Sequence, residues 1–218
     1  MEYPQIEVRT HISEAEAQAE LQRKVREIVE AAEKSEGPAA ALTARNRCQA
    51  FVDHLRDSHT RLTQRAKDSQ LKVREATLRV DEMWIADPVK PKGIGEATRS
   101  LDESDREWRA VTRAALRIAE RKLPQAEIDL LFAEAEANFA MCVALREIAQ
   151  ERFRKTAEMM TEAAQHEGGI VFDPATTVSG RLFAQADDYD RRGTEHRRWA
   201  DERKVAFDRL MRELDPTF

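Results

Sequence analysis

The apolar residues of this chain recur three and four positions apart, the spacing that turns one side of an α-helix toward a core. Ser13 with Glu16 three residues later has the form of a capping box, and Leu21, Val25, Ile28 and Ala32 then follow at steps of four, three and four. The spacing predicts a first helix over about 13–35. From Ala39 to Ala86 there is no Gly or Pro, and positions 52, 55, 59, 62, 66, 69, 73, 76, 80 and 83 keep the alternation without a slip. That seam runs from Val52, Leu55, His59 and Leu62 to Val73, Val80 and Met83, with small or polar residues between. A helix over about 39–86 would be roughly 70 Å long at 1.5 Å per residue, which implies an elongated molecule.

A third stretch places Trp108, Val111, Ala115 and Ile118 on one stripe, and Leu131, Ala135, Cys142, Leu145 and Met159 on later turns. Pro124 falls between the two sets and reads as a boundary between coaxial or bent segments, about 96–122 and 125–166. The last helix, about 175–214, carries Leu182, Ala186, Tyr189, Ala200, Phe207, Leu210 and Leu214 on a seam broken by Gly193, His196 and Arg203. Glu36-Gly37-Pro38, Asp87-Pro88 through Gly95, and Gly168-Gly169 through Pro174 punctuate the chain between helices. Ile6 and Val8 suit a short extended arm over 1–12. The expected architecture is all-α: one domain over 13–218, an elongated antiparallel bundle of four to five long helices with coiled-coil-like packing.

The second half of the long helix departs from simple amphipathicity. Leu71, Leu78 and Ile85 lie nearly opposite the seam, and Trp84 adds to the outer side. A helix apolar on two faces must be covered twice. It is the inner helix of the bundle, it meets a second chain, or the seam shifts locally between Leu62 and Leu71.

Composition supports helices and argues against most chemistry. Charged residues make up 35% of the 218, above the roughly 25% usual in globular domains, while 41 acidic and 36 basic residues leave a net charge of -5. So balanced a chain has no domain-wide basic field for nucleic acid. Residues 45–92 hold 11 basic and 7 acidic residues (+4), whereas 123–167 hold 4 and 9 (-5), so these helices are expected to pack side by side. The start, with Glu2, Pro4 and Glu7, lacks the pattern of an export signal, and the longest apolar run, Phe139 to Leu145, is too short to span a bilayer. A cytoplasmic location is expected. Cys48 and Cys142 are widely separated and read as small core residues.

The residues three before His11, His54, His59, His166 and His196 are Val8, Phe51, Arg56, Ala163 and Gly193, so no Glu-x-x-His metal motif exists. His166-Glu167 runs into Gly168-Gly169, and Gly93-Ile94-Gly95 lacks the third glycine of a dinucleotide loop. No enzyme activity, metal or cofactor is expected. His59 and His196 fall on seams, where an imidazole titrates or finds a local partner, and Asn138 sits in an apolar turn where a buried amide can fix register.

Charge patterning points to contacts. Arg65, Lys72 and Arg79, each followed three residues on by Asp68, Glu75 and Glu82, form an expected ladder of intrahelical pairs. Arg109, Arg113, Arg117 and Arg121, spaced by four, make a slowly drifting basic stripe suited to phosphates or an acidic partner, or paired with Glu127, Asp129, Glu134 and Glu136. The sequence therefore points to a scaffold or adaptor protein that pairs with itself, as a homodimer, or with another helical protein. A peripheral membrane-shaping role at anionic lipid and a helical metal or cofactor enzyme with unusual ligands are the alternatives.

Overall fold

The computed structural model describes residues 13–164 and 177–214. Its regular structure is helical throughout: α1 (Glu14–Glu33), α2 (Glu36–Ala86), α3 (Ile94–Arg117), a π-helical turn (Ile118–Lys122), α4 (Leu123–Ala164) and α5 (Val178–Leu214). The chain is an all-α bundle, as its periodicity predicts. The arm expected over 1–12, the His166-Glu167 step and the Gly168 to Pro174 break lie outside the described residues.

Local chemistry explains the boundaries. Ser13 Oγ accepts the Glu16 N–H at 3.2 Å while the Glu16 carboxylate accepts the Ser13 N–H at 2.9 Å, so the capping box forms. The break after α1 is shorter than expected. Ser35 donates its hydroxyl to the Ala32 carbonyl at 2.6 Å, and its own carbonyl accepts the Ala39 N–H at 2.9 Å. Gly37 and Pro38 therefore lie within α2, because a first-turn residue has no intrahelical use for an N–H and proline loses nothing there. After α2, the Asp87 carboxylate accepts the N–H groups of Val89 and Lys90 at 3.1 and 3.2 Å. Gly93, at φ 79°, takes the left-handed conformation that lets the chain enter α3.

Pro124 does not interrupt the helix. It has no N–H to give, and in an unbroken α-helix its ring would press on the carbonyl four residues back, at Glu120. In the preceding turn the Leu123 N–H reaches back five residues to the Ile118 carbonyl, a wider register that accommodates the proline and keeps the backbone helical from Ile94 to Ala164.

The described residues gather into two compact units, one from 13–44, 133–164 and 177–197 and the other from 45–132 and 198–214, so α2, α4 and α5 contribute to both. In the first unit Val25 and Ala32 of α1 and Leu182 and Ala186 of α5 close on Met141, Cys142, Leu145 and Ala149 of α4. Residues two apart (Ala135, Ala137) and adjacent (Met141, Cys142) are all buried, which a helix covered on one side cannot achieve. The inner helix of this unit is α4. Arg146 reaches Asp187 at 2.9 Å and Asn138 meets His196, so α4 and α5 run antiparallel.

In the second unit Val52 and Leu55 pack with Ala126, flanked by Ile118, Leu123 and Leu130. Arg56 reaches Glu127 and Arg65 reaches Glu107, each at 2.7 Å, which sets α2 antiparallel to α3 and the start of α4; of the two pairs, Arg56–Glu127 joins the basic segment to the acidic one. None of the ten α2 seam positions is exposed. Two seams end sooner than their spacing implies. Met159 is 70% exposed, and at the end of α5 Leu210 and Leu214 face outward while Met211 is buried. Ala200 to Met211 is an eleven-residue step, closer to the natural period of a straight helix than further sevens.

Two outcomes follow from this packing. Leu145→Ala, at a fully buried position, is expected to lower unfolding free energy by about 2–5 kcal/mol in urea titrations. Cys142 is buried and its thiol is pushed up by that burial, whereas Cys48 is half-buried, so a disulfide reagent should label Cys48 in the native protein and Cys142 only on unfolding.

Candidate interaction surfaces

On α2, Leu71, Leu78 and Ile85 are 55%, 61% and 79% exposed, and Trp84 is 45% exposed. Val73, Val80 and Met83 on the other side are half-buried, so the seam does not shift. The inner-helix reading of α2 is thereby overturned: α4 carries an almost continuous apolar sequence through its middle and takes that place in the first unit, while the outer stripe of α2 is exposed among the described residues. Val89, in the connector after α2, is 91% exposed and extends the apolar surface. The periodicity could not reveal Val89, because it lies beyond the last helical turn.

The expected ladder on α2 does not form. Arg65 turns to Glu107 on α3, whose carboxyl it holds below the usual range, and Asp68 accepts from Gln64 instead. The arginine stripe is exposed, and only Arg109 has an acidic partner, Asp105 at 2.8 Å. Arg113 donates to the Arg109 carbonyl, and neither it nor Arg117 nor Arg121 is paired with an acidic side chain among the described residues. Its suggested partner Glu127 is engaged by Arg56. Thr112, on the same helix, has a buried hydroxyl without a hydrogen-bond partner among the described residues.

Asn138 and His196 meet inside the first unit. The Asn138 amide donates to the Glu134 carbonyl at 2.8 Å and faces His196 Nδ1 at 3.2 Å, while His196 Nε2 lies 3.7 Å from the Glu134 carboxylate. An amide donating both ways requires Nδ1 to be the acceptor, so the ring proton belongs on Nε2, toward Glu134. Beside this node Gly193 is buried against Phe139: a Cβ there would stand 2.8 Å from the ring. His59, on the α2 seam, faces Thr63 Oγ1 at 3.4 Å.

Two grooves lie in the first unit. One, of about 730 Å³, runs between α1 and α5 over Leu21, Val25 and Val29. The other, of about 500 Å³, lies between the start of α2 and the middle of α4. Among the described residues no group of three His, Cys, Asp or Glu is placed to hold a metal ion, and no helix is long and apolar enough to cross a membrane. Comparison with known proteins finds no matching family, no matching curated protein and no matching solved structure.

The surfaces and the node respond differently to substitution. In dilute monomer, Leu71→Gln and Leu78→Gln should each change stability by no more than about 0.5 kcal/mol, whereas Leu55→Ala should cost about 2–5 kcal/mol. Asn138→Ala withdraws the donor facing His196 and should cost about 1 kcal/mol, and Gly193→Ala, which drives a methyl into Phe139, about 1–3 kcal/mol. Denaturant midpoints at matched concentration check all of these.

Proposed function

We propose that this chain is a non-enzymatic assembly protein that associates with a second copy of itself through the outer face of α2. The observation that carries the reading is the exposure of Leu71, Leu78 and Ile85, one residue per heptad on a helix whose other face is already covered. Large apolar side chains aligned on one helix face, continued by Trp84 and Val89, mark a contact surface better than single exposed apolar residues do. Six Leu and Ile side chains from two copies would supply on the order of 10 kcal/mol before an association cost of similar size. The pairing is therefore expected to be reversible and concentration-dependent.

Light scattering across a hundredfold range of concentration tests it. In high salt, where charge-driven contacts are screened, the wild type should rise from 25.0 kDa toward twice that mass, and Leu78→Asp should stay at the monomer mass with unchanged helical circular dichroism. A wild type that is monomeric throughout, or a folded Leu78→Asp variant with unaltered mass, would overturn the proposal.

A further inference from the structure

The groove between α2 and α4 has an apolar floor and an acidic rim. Pro38, Phe139, Ala140 and Val143 form the floor, with Val143 56% exposed, and Glu36, Glu136 and Glu147 stand around it. Glu136, Ala140, Val143 and Glu147 follow at steps of four, three and four, so a single stripe of α4 carries a glutamate at each end. The two glutamates are separated by about 16 Å of helix rise. None of the three rim carboxylates pairs with a basic side chain among the described residues.

The basic stripe on α3 has the complementary form. Leu116, 48% exposed, lies among Arg113, Arg117 and Arg121, with Glu120 the acidic residue on this stretch. On a continuous α-helix a four-residue step overshoots a turn by about 40°, so a stripe spaced by four would wind away from its starting face. The π-helical turn begins just after Arg117 and includes Arg121. There the hydrogen bonds reach back five residues, and a four-residue step falls short of a full turn, which rotates Arg121 back toward the face that Arg113 and Arg117 share. Three guanidiniums without acidic partners among the described residues thus share a face, with the exposed Leu116 at its edge.

We infer that the α3 stripe of one copy docks in the α2–α4 groove of another, Leu116 on the Val143 floor and the arginines against the rim glutamates. Guanidinium suits this task, since it pairs with carboxylates in a planar, two-pronged geometry. The contact is heterologous, joining two different surfaces, so unlike a symmetric α2 pairing it propagates into a ring or a filament. It extends the self-association reading but uses none of the α2 residues.

Two folded double variants test it: Arg117→Glu/Arg121→Glu keeps the groove and reverses the stripe, and Glu136→Lys/Glu147→Lys does the opposite. Each is made with and without Leu78→Asp, so that loss of α2 pairing is read separately. By sedimentation velocity at low salt, neither double variant alone should form the contact, and an equimolar mixture should recover it, with an association constant at least about tenfold above either alone and falling about tenfold in high salt. A mixture that sediments like its separate components overturns the inference. So does wild-type retention on phosphatidylserine vesicles or a single-stranded oligonucleotide that the stripe variant loses, which would assign the arginines to that polymer.

Discussion

In the first unit the backbone of α4 has to be surrounded, and the means is small side chains. Its buried positions include Ala135, Ala137 and Ala149, and α5 brings Ala186, with Leu145 and Leu182 as the larger residues between them. Alanine buries little area, but it lets helix backbones approach closely, so cohesion comes from many thin contacts along the helices. At Gly193 the approach is closer still, with the Phe139 ring lying where a β-carbon would be. Such a core tolerates added bulk poorly, and the half-buried Glu134, Asn138 and His196 beside it bind α4 to α5 at one register.

In the second unit α2 is covered on one side and open on the other. None of its seam positions is exposed and its arginines reach across to α3 and α4, which leaves Leu71, Leu78 and Ile85 exposed among the described residues. The described residues thus present an exposed apolar stripe, an acid-rimmed groove and a basic face on which only Arg109 has an acidic partner.

The π-helical turn links a local problem to a surface consequence. Pro124 forces the register to widen, and the widening re-aims the side chains just before it, including Arg121. One proline thus shapes which charges share a face.

The all-α class, the capping box at Ser13, the α2 seam and the outer stripe were all legible from spacing, because a 3.6-residue period projects directly onto helix faces. What spacing could not decide is which helix lies inside. Both α2 and α4 carry apolar residues beyond one stripe, and only packing shows that α1 and α5 close around α4 in the first unit while the second face of α2 is left open. Nor could spacing choose between local and distant partners for a charge: Arg65 had an acid three residues on and took Glu107 on α3, since long exposed side chains gain little from any one pair and settle where tertiary packing brings a carboxylate. The faces belong to the sequence; their coverings are decided by the fold, because covering is a property of two surfaces and periodicity describes one.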